Sequence, residues 1–183
     1  MQRRKWLVLN YNLPTEPSRN RVSVWRGLKK LGAVNLHQSS WILPYSTENY
    51  NALAQISMEI EAKDGDVLLL ESTCVEEKYE QKIVETFNSI RNEEYREFIN
   101  ECEKYFKELD KEISIEKFTF AELEEEEEEL QKLLSWQTKI EARDQFNAEV
   151  GEISREKREL IQKAFERYSE LVYQYNEHRD KVQ

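Results

Sequence analysis

Five cations within one short segment, Arg19, Arg21, Arg26, Lys29 and Lys30, are the residues of this 183-residue chain whose types and spacing could do chemistry. That chemistry is anion recognition. A guanidinium grips phosphate or another tetrahedral oxyanion through paired N–H donors, and neighbouring lysines add field. The five form the densest part of a basic front. The first 45 residues carry eight Lys and Arg against a single acid, Glu16, a formal +7 in a chain of net charge −10, so the remaining 138 residues carry −17. Charge says little about fold, but it separates surfaces that attract nucleic acid or a small oxyanion from those that repel them. Read as a helix from Ser18 to Leu31, the segment puts Arg19, Arg26 and Lys30 in one angular sector with Arg21 and Lys29 flanking it. Val22, Trp25, Leu28 and Leu31 then make the inward stripe. The competing reading is the solvated back of an amphipathic helix, which needs no ligand.

The other reactive residue types are less promising. Glu124 to Glu129 are six consecutive glutamates. On a helix they point around the axis at about 100° intervals and cannot converge on a metal. A dinuclear carboxylate centre would also require Glu-x-x-His pairs, which are absent. The run is expected to be a solvated acidic face, set against DNA or toward a basic helix of a partner. Cys74 and Cys102 are separated by 28 positions without a CxxC spacing, and only His37 and His178 could assist them in a metal site. Core packing or incidental placement is the expected role of both cysteines. Arg143-Asp144 reads as a local ion pair on a helix. No Walker loop, dinucleotide fingerprint, His-Glu-x-x-His or serine elbow occurs, so neither turnover nor a cofactor is expected. A metal-dependent nuclease remains an alternative class, and it would need carboxylates placed for a divalent ion. The first strand ends Leu9-Asn10-Tyr11-Asn12, with none.

The elements that must position these residues divide near residue 75. Lys5 to Tyr11 reads as an inner strand with apolar residues on both faces, ended by Pro14 and Pro17. Ser18 is the expected N-cap of the basic helix and Gly32 its stop. Ala33–His37 and Ser40–Leu43 suggest a hairpin turning at Gln38-Ser39. Residues 47–62 suggest a second helix, with Tyr50, Leu53, Ala54, Ile56 and Ile60 available to pack. Asp64-Gly65-Asp66 turns into a short buried strand, Val67–Leu70. The predicted fold is α+β: a ferredoxin-like βαββαβ sandwich over residues 1–75, followed by an acidic helical region over 76–183. Helical stripes from Tyr79 to Phe87, from Tyr95 to Leu109, from a Thr119/Glu122 capping box to Ile140, and from Ser154 through Leu160, Ile161 and Tyr168 to Tyr175 make four segments that predict an antiparallel helical bundle or long helical hairpin. The apolar run after Lys5 breaks at Asn10, and no stretch reaches the roughly 20 apolar residues a bilayer requires. The expectation is a soluble, cytoplasmic protein without membrane contact.

Trp6-Leu7-Val8-Leu9, Pro14, Arg21-Val22-x-Val24-Trp25-Arg26, Leu28-x-x-Leu31-Gly32-Ala33-Val34 and Trp41-Ile42-Leu43-Pro44 together resemble the N-terminal region of ChrB-type chromate-resistance regulators. The likeness continues through Glu94-Tyr95-Arg96, Phe120-x-x-Leu123-x-Glu125 and Arg143-Asp144-x-Phe146. It implies a ferredoxin-like domain followed by helices, and a chromate-resistance-related transcriptional regulator or other DNA-associated protein. Arg21, Trp25, Arg26 and Leu31-Gly32-Ala33 belong to the resembling pattern. The partners implied are promoter DNA, a second copy in a homodimer and a separate chromate-resistance-domain protein. The alternative to regulation is a non-catalytic protein-interaction module, in which the acidic helices bind a partner and the basic segment is only a charged surface.

Overall fold

Strand β1 (Lys5–Asn12) buries Trp6, Leu7 and Leu9, so both of its faces are covered, as befits a strand with neighbours on each side. The computed structural model describes residues 3–180; Met1 and Gln2, at the head of the segment read for a leader, lie outside them. Helix α1 (Ser18–Lys30), strands β2 (Val34–His37) and β3 (Ser40–Pro44), helix α2 (Thr47–Glu61) and strand β4 (Asp66–Thr73) follow in chain order. The four strands form one sheet in the order β2-β3-β1-β4, with every pairing antiparallel. The protein is thus an α+β chain, as expected. Leu7 lies opposite Leu43 and Leu9 opposite Trp41, giving one apolar face. Val24 and Leu28 of α1 and Leu53, Ile56 and Ile60 of α2 are buried with it. On the opposite face the Trp6 ring stacks 6.1 Å from Phe87 and lies 5.9 Å from Phe146.

Three local expectations change. Strand β4 is longer than Val67–Leu70 and is an edge strand, with Leu68 and Leu70 exposed. A short apolar run does not reveal how many neighbours its strand will have. Tyr50 is exposed while Leu53, Ile56 and Ile60 carry the packing of α2. Pro17, not Ser18, occupies the N-cap of α1 and makes no side-chain cap. Gly32 does end that helix. At φ +78° it lets its own N–H reach the Lys29 carbonyl at 3.0 Å and the Ala33 N–H reach the Leu28 carbonyl at 3.1 Å, a Schellman closure. A Cβ at Gly32 would also sit 2.9 Å from the Arg143 Cβ. Gly32→Ala is therefore expected to cost about 1–3 kcal/mol, combining left-handed strain with overpacking. Urea denaturation checks this, and an unchanged midpoint would contradict it.

The described chain divides into a unit of residues 3–87 with 143–146 and a unit of residues 88–142 with 147–180. The second unit takes in helix α3 (Glu77–Ser114) from Asn88, helix α4 (Phe120–Glu141) and helix α5 (Val150–Asp180). Tyr95, Phe98, Cys102, Tyr105 and Leu109 of α3 recur at helical spacing. They bury against Leu123, Leu130, Leu133 and Leu134 of α4 and Ile161, Tyr168 and Val172 of α5. Thr119 caps α4 as expected, its Oγ1 accepting from the Glu122 N–H at 3.2 Å. The Glu122 carboxylate turns instead to Lys117 at 2.6 Å. Tyr168 donates its hydroxyl to the Lys117 carbonyl at 2.8 Å, tying α5 to the α3–α4 connection.

Ser154 is not the start of α5. The helix opens at Val150, whose N–H donates to Asn92 Oδ1 at 3.0 Å, and Ser154 is fully buried within it. Leu160 and Tyr175 are exposed rather than inward. Arg143 and Asp144 lie in the α4–α5 connection, not on a helix. Among the described residues, no helix is long and apolar enough to cross a membrane.

Candidate nucleic-acid interface

Helix α1 offers two rival apolar stripes. Val22 and Trp25 are three residues apart; Val24 and Leu28 are four apart, and at about 100° per residue the two pairs lie on different sides. The helix buries the second pair. Val24 and Leu28 are 1% and 0% exposed, whereas Val22 and Trp25 are 41% and 47% exposed. This corrects the inward stripe of Val22, Trp25, Leu28 and Leu31, of which Leu28 is fully buried and Leu31 half-buried. Gly27 lies on the buried side, where the position of its absent Cβ is 3.4 Å from Ile56 Cδ1 of α2. A bulkier residue there would push the helices apart, a constraint that hydrophobic periodicity does not display.

The rotation places an indole among the cations. Arg19, Arg21, Arg26, Lys29 and Lys30 are all exposed, and none forms an ion pair with a described residue. Trp25 has Arg21 one turn before it and Lys29 one turn after, while Val22 stands one turn from both Arg19 and Arg26. Lys29 and Lys30 occupy the last turn, where the helix dipole favours a cation. Arg19 occupies the first turn, where the dipole disfavours one, so helix stability does not account for it. With no side-chain cap at Pro17, the same end points backbone N–H donors outward. A sixth cation joins them: Lys63, at the end of α2, donates to Ser23 Oγ at 3.4 Å while pairing with Glu59 at 3.7 Å. Forty residues separate Lys63 from Ser23 in sequence, so no local pattern signals that contact.

These placements separate surface from core. Trp25→Ala is expected to change stability by no more than about 0.5 kcal/mol, whereas Leu28→Ala should cost about 2–5 kcal/mol. Thermal unfolding of the two variants distinguishes them, and equal losses would restore Trp25 to the core.

The remaining candidates do not assemble a catalytic constellation. Burial, then Glu80, pushes the Cys74 thiol up against the opposing influence of Arg3. Burial pushes Cys102 up to about 12. Neither thiol is set up as a thiolate nucleophile. Among the described residues, no group of three or more His, Cys, Asp or Glu could hold a metal ion. The glutamate run departs from expectation at one position: Glu126 is only 5% exposed, while Glu124, Glu125, Glu127, Glu128 and Glu129 are exposed. A helix packed on two sides turns one residue in three or four inward whatever its charge, which a uniform run conceals.

Comparison with known proteins matches residues 21–179 to the family described as "Protein ChrB, N-terminal". One similar protein, "Protein ChrB" of Cupriavidus metallidurans, is 31% identical over 96 residues. The match covers 52% of this chain and 29% of that protein, so this chain corresponds to less than a third of the relative's length. No solved structure matches the chain.

Proposed function

The chain belongs to the family of ChrB N-terminal regions, and on that premise we propose that it is a non-enzymatic, chromate-resistance-related transcriptional regulator whose α1 surface contacts promoter DNA. The observation that carries this reading is an exposed indole set among five cations that no described acid neutralises. In this reading Arg19, Arg21, Arg26, Lys29 and Lys30 bind phosphates and fix the register of the helix on the duplex. Trp25 and Val22 add apolar contact with sugars or base edges, where sequence can be read. We read the β2-β3-β1-β4 sheet with its two helices as a ferredoxin-like sandwich and the second unit as a helical bundle. A homodimer in the cytoplasm would present two α1 helices to a two-fold operator, and a separate chromate-resistance-domain protein would complete the response.

A gel shift on the promoter adjoining the gene of this chain tests the proposal. It expects a protein-dependent complex at low salt that an unrelated duplex competes for less well. Absence of any complex under those conditions would reject it.

A further inference from the structure

Helices α3 and α4 enclose a groove of about 720 Å³ lined by eight glutamates and two lysines. Four of the glutamates are already held: Glu101 by Lys104 at 2.5 Å, Glu108 by Lys111 at 2.7 Å, Glu122 by Lys117 at 2.6 Å and Glu129 by Lys132 at 3.2 Å. Both lysines that line the groove are thereby engaged, while Glu124, Glu125, Glu126 and Glu128 form no ion pair with a described residue. Glu126 separates this groove from an ordinary acidic surface. It is only 5% exposed and lines the groove, and no described residue places a cation or a hydrogen-bond donor on its carboxylate. Burial, then Glu108, Glu122, Glu112 and Glu125, push its carboxyl up to about 7. A buried carboxylate among four acidic neighbours is relieved by a proton or by a cation brought in from outside. The described residues form no group able to hold a metal ion. Beside the carboxylates the groove is lined by Ala121, Leu133 and Tyr105, whose hydroxyl is engaged with the Glu126 carbonyl at 3.0 Å. Acid and hydrocarbon side by side suit a ligand with the same alternation, ammonium groups joined by short methylene chains.

We propose that this groove binds a linear aliphatic polyamine, with one ammonium group seated on the Glu126 carboxylate, a second on Glu125, and the methylenes between them against Tyr105 and Leu133. The two carboxylates are those that no lysine of the chain neutralises, so the ligand displaces no existing ion pair. Each ammonium group brings three N–H donors, enough to serve a carboxylate and a neighbouring oxygen together. The lining stretch of α4, Ala121 to Leu133, runs about 18 Å, which gives an extended chain room to lie along the helix. Binding at Glu126 replaces the proton that its surroundings otherwise favour. All the residues involved belong to the helical unit, so the site requires no nucleic acid and stands apart from the DNA reading.

Isothermal titration calorimetry of spermidine into the whole chain, without nucleic acid, tests the site. At pH 8 the Glu126 carboxyl is ionised, and at about 0.15 M salt exposed charges are screened beyond about 8 Å. The unaltered chain should show one saturable site. Glu126→Gln should weaken it at least about 10-fold. Glu125→Gln, at an exposed position that leaves the packing intact, should weaken it severalfold. Glu127→Gln removes the same charge from an exposed position of α4 outside the groove and should leave the affinity unchanged. Circular dichroism should show all three variants folded, and magnesium at the same concentration should not displace spermidine. Absence of saturable binding, equal losses in the Glu125 and Glu127 variants, or displacement by magnesium would each overturn the proposal. Binding of a hexalysine peptide with no binding of spermidine would overturn it too, and would assign the groove to a basic protein segment.

Discussion

Replacing Arg19, Arg21, Arg26 and Lys29 together by glutamine is expected to reduce promoter affinity by at least about 100-fold at moderate salt while leaving the fold unchanged. Each neutralised phosphate contributes about 0.9 to the slope of log affinity against log salt. The four replaced contacts account for a slope of about −3.6, so a fourfold rise in salt removes roughly 150-fold of affinity through them alone. The variant loses most of that dependence with its affinity. Stability should barely move, because all four side chains are exposed and none pairs with a described acid. Glutamine is nearly as good a helix former as arginine or lysine. The dipole effects of removing Arg19 and Lys29 have opposite signs. Anisotropy titrations paired with thermal melts check both halves. A variant that binds as tightly as the unaltered chain would move the interface elsewhere.

Glu126→Gln should stabilise the protein, and only above mildly acidic pH. The Glu126 carboxyl lies at about 7 in the folded chain against an ordinary 4.5, raised first by burial and then by Glu108, Glu122, Glu112 and Glu125. Below 4.5 the group is protonated in both folded and unfolded chains and contributes nothing to the difference. As pH rises from 4.5 to about 7 the unfolded chain gives up this proton before the folded one, so stability falls; above 7 the full cost is present. A shift of this size corresponds to about 3 kcal/mol, part of which solvent in the groove screens. Glutamine keeps the shape and removes the titration. Urea denaturation at dilute protein concentration should give matching stabilities near pH 4. Near pH 8 the variant should gain about 1–3 kcal/mol. A variant no more stable than the unaltered chain at pH 8 would show that the carboxylate finds compensation in place.

Much of the architecture could be read from local signals, because punctuation and periodicity are local. The Thr119 cap, the Gly32 stop and the order of strands and helices depend on a few adjacent residues. Local signals fail where two readings satisfy the same pattern. Val22/Trp25 and Val24/Leu28 are both apolar pairs at helical spacing, and the packing of α1 against α2 beside Gly27 decides between them. Strand β4 reads as buried until its edge position is known. The candidate site followed the same rule. Its five cations stand out by composition, but the exposure of Trp25 and the approach of Lys63 to Ser23 are tertiary facts. Glu126 illustrates the converse: a run of like charges is not equivalent to a run of like environments.

The proposed contact joins the cations of the α1 face to promoter DNA. Its most direct test is the anisotropy of a labelled promoter duplex titrated with the unaltered chain over a series of salt concentrations. The logarithm of affinity should fall linearly with log salt at a slope of about −4.5, that of five phosphate contacts. Any binding left in the fourfold glutamine variant should keep a slope of about −0.9, that of the one remaining contact at Lys30. No binding at low salt, or an equal slope for both proteins, would contradict it.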